Sequence, residues 1–479
     1  MIDAYHLFKD VLILILEELK EDGNSLYSCL LVNKTLCDIA VLILWKNPWK
    51  YVKKDQPLFN VIVSHLSDKS KMELYNNGID LFTNSCERLT YNYISFCRNL
   101  CLNGLSQIIY TSHIAEPFKR MIVKDELLKL FINNNTKFTS LSLPDQLGDK
   151  IHRITGAEQC FSELEYLYCS TNTSQEILEG FSTISRSIKK LEFDVSQIHY
   201  NAGIIKLIES QRNLNYLSGN LGKKDVSFCK VLEDTLIKHA NNIQYLKISW
   251  EPVTKILSYL GNLKSLEINS RHITNWDHLV NASTPNLKIL RTQNIPSKIL
   301  ANFIKNTKGH LTEISIQFPM YDREDKYPGE NNNSLIRSIY ENCLKLQYLK
   351  LSINNDDIAE FEKLFINCQH LDGLILNNST RENFNWVDLF NSLTRSAPAS
   401  LYKFKFIFNG DILLSTFSSF FDNWKRNRKD SKPILLKIFY RMDFTQNHKV
   451  LFNEYKNEGI IKTFSYDPAE FGFDEFEWT

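Results

Sequence analysis

The residues that could carry out chemistry are dispersed along the chain. The closest pair of histidines, His272 and His278, lacks the cysteine or carboxylate spacing of a zinc site. Asp356 and Asp357 are adjacent carboxylates where a helix is predicted to begin, and acidic side chains favour a helix N-terminus for electrostatic reasons alone. The phosphate-binding, nucleophile-elbow and HExxH patterns do not occur. We therefore expect no catalytic site, no metal and no cofactor.

The distributions of cysteines and of charged residues also indicate structural roles rather than chemistry. The ten cysteines are scattered without a CxxC pair, and several lie within apolar runs. This distribution is typical of buried, reduced thiols in an intracellular protein, which we place in the cytoplasm or nucleus. The 56 basic and 55 acidic residues leave a net charge of +1, which favours neither nucleic acid nor a membrane surface as a partner. The apolar run 11–16 is much shorter than the roughly 20 residues of a membrane span.

One basic cluster stands out from this balance, at residues 425–429. Two interpretations stay open. Basic side chains at the end of a helix suit the helix dipole, and the same cluster could serve as a localisation signal or contact a phosphate.

A short apolar pattern recurs through most of the chain. Its three aliphatic residues occupy positions i, i+3 and i+5, most clearly at Leu346, Leu349 and Leu351. Ten copies begin at positions 164, 188, 214, 243, 263, 287, 311, 346, 371 and 401. The steps of 24, 26, 29, 20, 24, 24, 35, 25 and 30 residues mostly match the period of roughly 20–29 in leucine-rich repeats.

These copies predict parallel strands separated by helices. The second and third apolar residues of each copy point to the same side because side chains alternate along a strand. Right-handed crossovers between these strands then place all the helices on one side of the sheet. The predicted helices are 175–184, 202–210, 226–239, 297–305, 334–342, 357–367, 386–394 and 413–425. The fold class is therefore an α/β leucine-rich-repeat solenoid, with parallel strands on a concave face and helices on a convex face. An ordinary parallel α/β sheet is the alternative.

Three short helices are predicted before the repeats, within residues 7–49. The first, at 8–20, is apolar on two faces, one formed by Leu12, Ile15, Leu16 and Leu19 and the other by Val11 and Leu14. Such a helix needs two partners, its own module and a second surface. Ser25 is the predicted cap of the second helix.

The predicted domains are a helical module at 1–50, a helical linker and N-terminal cap at 51–135, and the repeats with a C-terminal cap at 136–479. The polar stretch 321–333 is predicted to be a surface loop, or alternatively a partner contact. The acidic, aromatic segment 467–479 is predicted either to close the stack or to be a peptide ligand for another protein.

The N-terminal module resembles an F-box. Leu7-Phe8-Lys9-Asp10-Val11-Leu12 is followed by Ser-Leu-Tyr-Ser-Cys-Leu-Leu-Val-Asn-Lys at 25–34 and by Leu44-Trp45. The usual pattern begins Leu-Pro-x-Glu-Ile-Leu, continues with Leu…Val-(Cys/Asn)-(Lys/Arg)-x-Trp, and closes on Leu-Trp. This chain has Phe8 in place of the usual proline and Leu36 in place of the common tryptophan. The resemblance covers about 45 residues, and an F-box followed by leucine-rich repeats is a known combination.

The resemblance implies a function without catalysis. F-box/leucine-rich-repeat proteins are substrate receptors of cullin–RING ubiquitin ligases, in which the F-box docks on a Skp-family adaptor and the repeats hold a target protein, unidentified for this chain. The candidate adaptor-binding residues are Leu7, Phe8, Val11, Leu12, Ile15, Leu16, Leu30, Val32 and Leu36. The candidate target-binding residues on the concave face are Tyr166, Tyr168, Tyr216, Tyr245, Lys247, Glu267, Arg291, Tyr348, Lys350 and Lys403. Tyrosine suits such a surface because its ring is buried while its hydroxyl stays polar.

The alternative is a non-enzymatic leucine-rich-repeat scaffold with no role in ubiquitin ligation. Its N-terminal helices would then only cap the repeats.

Overall fold

The fold is that of a computed structural model. It describes residues 4–51, 54–81, 90–112, 114–143, 150–170, 173–195, 202–221, 225–269, 276–317, 332–378, 384–408, 412–428, 432–440 and 445–466. The side chains of residues 4–8, 195 and 440 are not part of this description. His272, nearly all of the predicted loop at 321–333, and the acidic segment 467–479 lie outside the described residues.

The chain divides into two compact units, Met1–Lys223 and Lys224–Thr479. The helices of the first unit are α1 Ala4–Glu18, α2 Gly23–Cys29, α3 Lys34–Lys46, α4 Asp55–Ser64, α5 Asp68–Asn76, α6 Tyr93–Phe96, α7 Leu102–Tyr110, α8 Pro117–Phe131, α9 Ala157–Phe161, α10 Gln175–Ile184 and α11 Ala202–Ser210. Its strands are β1 Asn99–Cys101, β2 Ser140–Leu143, β3 Tyr166–Cys169, β4 Lys190–Val195 and β5 Tyr216–Leu221.

The second unit continues the alternation of strand and helix. Its strands are β6 Tyr245–Ile248, β7 Ser265–Asn269, β8 Ile289–Gln293, β9 Glu313–Gln317, β10 Tyr348–Ile353, β11 Gly373–Asn378, β12 Lys403–Phe408, β13 Ile434–Tyr440 and β14 Ile461–Tyr466. Its helices are α12 Val226–Ile237, α13 Ile256–Tyr259, α14 Asp277–Val280, α15 Ser297–Lys305, α16 Asn333–Asn342, α17 Ile358–Asn367, α18 Trp386–Ser396, α19 Leu414–Asn427 and α20 Gln446–Asn457.

Within each unit, every strand pairs in parallel with the next strand along the chain. The register keeps the repeat pattern aligned, so that Leu349 faces Ile314 on one side and Leu374 on the other. In all ten copies the first apolar residue lies two positions before its strand and is fully buried, as Leu346 is before β10. The predicted leucine-rich-repeat solenoid is therefore confirmed.

The predicted helices are confirmed with small changes at their ends. Three of them, α10, α11 and α15, have the predicted bounds, and the other five differ by at most two residues at either end. The sequence pattern missed α13 and α14, which have only four residues and are too short to show a 3.6-residue period. It also missed α20, a polar helix in which only His448, Phe452 and Tyr455 are buried.

The N-terminal module is built from α1, α2 and α3. These helices share a small core of buried aliphatic side chains: Leu16, Leu26, Ile39, Ile43 and Leu44. The prediction that Ser25 caps α2 is wrong. Asp22 is the cap, since its side chain accepts a hydrogen bond from the Ser25 N–H at 3.1 Å. This carboxylate also suits the positive end of the helix dipole better than a hydroxyl.

Candidate protein-binding surfaces

The N-terminal module leaves apolar side chains in contact with solvent at two places. On α1, Val11, Leu14 and Ile15 are exposed, and Ile15 retains 55% of its accessible surface. In the turn after α2, Leu31 and Val32 are exposed, at 89% and 63%. We call these five side chains the exposed apolar residues of the module. Single exposed leucines are common on protein surfaces, but five within a module of about 45 residues are typical of an interaction site.

The two faces of α1 differ from the prediction in one position. Leu12, Leu16 and Leu19 pack against the module core, as expected for one apolar face. Ile15 was predicted on that face but is exposed, so it belongs with Val11 and Leu14 on the other. The reason is geometric, because positions 11, 14 and 15 follow the i, i+3, i+4 spacing of one helix face.

The predicted adaptor-binding residues therefore occupy three kinds of environment. Val11, Ile15 and Val32 are exposed. Leu12, Leu30 and Leu36 are half-buried against the module core, and Leu16 is part of that core at 4% exposure. The side chains of Leu7 and Phe8 lie outside the described part of the chain. Leu14 and Leu31 are exposed as well but were not among the predicted candidates, although their apolar type was the available signal.

The module is joined to the start of the repeats by hydrogen bonds at the end of α3. The backbone carbonyl of Lys46 accepts from the N–H of Arg98 at 3.0 Å and from Asn99 Nδ2 at 3.1 Å. Trp49 Nε1 donates to the carbonyl of Asn99 at 2.7 Å. Since Asn99 begins β1, the module is attached directly to the first strand.

In the first unit, the strand side opposite the repeat leucines carries the predicted tyrosines. We call this side of every strand its open side. Tyr166, Tyr168 and Tyr216 are half-buried there. The ammonium of Lys190 lies over two of these rings, 5.0 Å from the centroid of Tyr166 and 4.6 Å from that of Tyr216, and forms an ion pair of 2.8 Å with Glu192. Burial, reinforced by Glu192, raises the pKa of Tyr166, so its hydroxyl stays protonated.

In the second unit, the predicted open-side residues form pairs between adjacent strands. Lys247 pairs with Glu267 at 2.7 Å, and Arg291 Nε lies 2.8 Å from a carboxylate oxygen of Glu313. Such pairs between neighbouring strands fix side-chain positions but contribute little to stability when half-exposed.

At the start of the second unit, Tyr245 on β6 is exposed, and further along it Tyr348 accepts a hydrogen bond from Lys403 Nζ at 3.1 Å. Lys350 differs from the other predicted residues because it is buried, at 7% exposure. The predicted candidates thus lie on the open side of the strands, but their local environments are not uniform.

Two buried carboxylates in the second unit serve the fold. Glu233 on α12 is fully buried and accepts hydrogen bonds from Trp250 Nε1 at 3.0 Å and from the N–H groups of Val253 and Thr254 at 3.0 and 2.7 Å. Its carboxylate therefore holds the segment that follows β6. Burial raises the pKa of Glu233, although each of these donors lowers it.

The second carboxylate is Asp357, one of the adjacent pair found in the sequence. It is fully buried and accepts from the N–H groups of Asn332 at 3.1 Å and Asn354 at 2.9 Å. Asn332 Oδ1 accepts a hydrogen bond from the hydroxyl of Ser297, and Asn332 Nδ2 donates to the carbonyl of Ser352 at 3.0 Å. Burial raises the pKa of Asp357 to about 6. The network links the starts of successive helices, which supports the structural interpretation of this carboxylate.

The described residues provide neither a metal site nor a membrane span. No group of three or more histidine, cysteine or carboxylate side chains in that part of the chain is arranged to hold a metal ion. No helix there is both long and apolar enough to cross a membrane. Six of the described cysteines are buried. In three of them, Cys97, Cys169 and Cys368, burial raises the pKa of the thiol to about 12.

The basic cluster at 425–429 lies at the end of α19. Lys425 pairs with Glu458 at 3.0 Å, and Arg428 stacks over the ring of Trp424 and donates to the carbonyl of Pro398. Its last residue lies outside the description.

Comparison with known proteins adds two structural similarities. No family model and no curated protein matches the chain. The crystal structure of the yeast Rad7 and Elc1 complex is similar over 59% of this chain and 79% of that chain, with 13% identity and a TM-score of 0.38. The leucine-rich-repeat-containing protein LegL7 from Legionella pneumophila is similar over 60% of this chain and 91% of that chain, with 13% identity and a TM-score of 0.34. Similarity at this level carries no information on function.

Proposed function

We propose that this chain is a non-catalytic receptor that joins two proteins. The N-terminal module docks on a Skp-family adaptor, which connects it to a cullin–RING ubiquitin ligase, and the open side of the repeats binds the target. The exposed apolar residues of the module are the observation that carries the proposal. They lie within the stretch that resembles an F-box, where such residues would meet the adaptor.

The physical basis of docking is the removal of this apolar surface from water. Burying a leucine or isoleucine side chain is worth about 1.5–3 kcal/mol, so a few such residues supply much of the free energy of a stable complex. Binding the target on the same chain then raises its concentration near the ligase, which needs no chemistry from the receptor itself.

The experiment is co-expression with a Skp-family adaptor followed by size-exclusion chromatography. The test variant is Ile15→Glu combined with Val32→Glu, because both side chains are exposed and the module core is untouched. We expect a one-to-one complex with the unmodified chain and an affinity at least about 100-fold lower for the variant.

The matched control is Met72→Glu on α5, an apolar residue of similar exposure outside the module. It should leave the complex intact. Leu16→Glu is unsuitable because Leu16 belongs to the module core. A folded chain that elutes alone, without the adaptor, would contradict the proposal.

The second candidate function is a scaffold in which the module only caps the repeats. The hydrogen bonds of Lys46 and Trp49 with Arg98 and Asn99 favour it, because they join the module to β1 as a cap requires. Removing the module would disturb β1 under either proposal. The point variants at Ile15 and Val32 discriminate better, since a cap has no use for these exposed side chains.

A further inference from the structure

A cleft in the first unit has the size and the lining of a binding site. It lies where the N-terminal module meets α4, with lining side chains from α2, α3, α4 and α6, and its volume is about 760 Å³. Eleven of its fourteen lining residues are apolar or aromatic. Clefts that bind ligands commonly have volumes of roughly 300–1,000 Å³ and a mainly apolar lining with a few polar groups.

Four aromatic side chains line this cleft, and contacts within the fold hold them in place. The hydroxyl of Tyr27 donates to the carbonyl of Tyr51 at 3.1 Å, and the hydroxyl of Tyr51 donates to the carbonyl of Lys20. Trp45 and Tyr93 are in ring contact, with their centroids 4.7 Å apart. Because these rings are already fixed, a ligand that packs on them costs little conformational entropy of the protein.

The lining also offers hydrogen-bond donors that the fold leaves unused. The indole N–H of Trp45, the hydroxyl of Tyr93 and the ammonium of Lys54 have no hydrogen-bond or ion-pair partner within the described part of the chain. Lys54 is exposed, and it is the one charged residue among those that line the described cleft. A complementary ligand therefore carries hydrogen-bond acceptors, apolar groups and a negative charge.

These donors distinguish between the conformations that a peptide ligand could have. A helix uses its backbone carbonyls internally, so it leaves few acceptors for Trp45 and Tyr93. An ordinary extended segment brings N–H groups as well as carbonyls, and burying N–H groups against an apolar lining is costly when acceptors are scarce.

Proline meets both requirements, because it has a carbonyl acceptor and no N–H. Proline-rich segments also adopt the extended polyproline II conformation before binding, which lowers the entropic cost, and they dock on grooves lined by aromatic rings. The chemistry of the cleft thus favours a proline-rich segment over other peptides.

We propose that this cleft binds a proline-rich segment of another protein in the polyproline II conformation, with prolines against the aromatic rings and an acidic residue near Lys54. The site is separate from the exposed apolar residues of the module, since none of those five lines the cleft. Of the described adaptor-binding candidates, only Leu30 does. The proposal therefore does not depend on docking to a Skp-family adaptor.

The test measures peptide binding to the full chain by fluorescence anisotropy. The probe is a capped, labelled peptide of eight prolines with a glutamate at each end, so that an acid lies near Lys54 in either direction of binding. We expect saturable binding with a Kd below about 1 mM. The matched peptide with alanine in place of every proline should bind at least about tenfold more weakly, because it brings unpaired N–H groups and has to be ordered on binding.

Two substitutions in the cleft test the assigned contacts. Lys54→Glu replaces an attraction with a repulsion, so it should weaken binding of the probe at least about fivefold and strengthen binding of a peptide with lysine at each end. Tyr93→Phe keeps the ring and removes only the hydroxyl, so the affinity should fall about three- to tenfold for both peptides.

The matched controls make the same changes outside the cleft. Lys34→Glu alters an exposed lysine of the module, and Tyr75→Phe alters an exposed ring on α5; neither residue lines the cleft. Both variants should bind the probe like the unmodified chain. If they weaken binding as much as the cleft variants do, the peptide binds elsewhere and the proposal is overturned.

Two further outcomes count against this assignment. Absence of saturable binding overturns it, and so does equal affinity for the proline and alanine peptides, because the cleft would then accept any acidic extended chain. The adaptor is absent from these measurements, so a negative result leaves the docking proposal untouched.

Discussion

Leu31 in the N-terminal module is 89% exposed, whereas Lys350 on β10 is 7% exposed. Each residue lies where its chemical type is costly, an apolar side chain in water and a charged one away from it. The module has more apolar side chains than its small core can bury. The later repeats have two buried lysines, Lys350 and Lys405, on the open side of their strands. The first arrangement suits contact with another protein chain, whereas the second depends on the packing around the strands.

The largest expected effect separates the two faces of α1. Leu16→Ala should lower the free energy of unfolding by about 2–5 kcal/mol, because it leaves a cavity in the module core. Leu14→Ala, two positions away and exposed, should change it by no more than about 0.5 kcal/mol. Urea-induced unfolding followed by fluorescence measures both, since Trp45 packs against this core. Equal losses of unfolding free energy would mean that Leu14 is also a core residue and does not belong to the exposed apolar residues of the module.

A pH dependence tests how the repeats hold the buried carboxyl of Asp357, which forms hydrogen bonds but no ion pair among the described residues. The pKa of Asp357 in the folded protein is about 6, above its ordinary value of 3.8. Between these values the folded state binds more protons than the unfolded state, so the stability contributed by this carboxyl falls as the pH rises from about 4 through 6. We expect the unfolding free energy of the unmodified chain, relative to Asp357→Asn, to decrease by on the order of 2–3 kcal/mol between pH 4 and pH 7.

The neighbouring substitution Asp356→Asn is the control for that measurement, because Asp356 is exposed. That variant should retain most of the pH dependence. A pH-independent difference between the unmodified chain and Asp357→Asn would show that the carboxyl titrates normally.

A smaller effect is expected at Glu233, where donors rather than cations satisfy the buried carboxylate. Glu233→Gln puts an amide N–H where the carboxylate accepts from Val253 and Thr254, so the unfolding free energy should fall by about 1–3 kcal/mol. Asp234→Asn, adjacent and exposed, should have almost no effect. Thermal unfolding of the three chains measures the difference, and equal melting temperatures would contradict the importance of this network.

The smallest effect is expected for an ordinary lysine on the open side. Lys247→Met removes the half-exposed ion pair with Glu267 and should change the unfolding free energy by less than about 1 kcal/mol. Lys405→Met removes a lysine that is 6% exposed and whose Nζ lies 4.2 Å from the ring centroid of Phe439. A clearly larger change at that position would sharpen the contrast between buried and half-exposed lysines. Chemical denaturation of the two variants in parallel provides the comparison.

The repeats were predictable because their physics is local and periodic. The pattern formed by Leu346, Leu349 and Leu351 recurs at a nearly fixed spacing, and each copy packs between two similar copies. One pattern therefore determines strand position, direction and register. The candidate binding surfaces were less predictable. Ile15 and Leu16 are adjacent, similar in type and both were expected to bind the adaptor, yet Leu16 is in the core and Ile15 is exposed. Composition alone cannot distinguish them, because both belong to a helix that is apolar on two faces.

By itself, the sequence determined the parallel strands of the repeats, the helices between them and the apolar excess of the N-terminal module, because alternation and helical periodicity are properties of neighbouring residues. Only the tertiary structure decided which apolar side chains of the module stay exposed and that Lys350, Ile375 and Lys405 form one buried row. These residues are 25 and 30 positions apart in the chain. They become neighbours only when parallel strands pair in register.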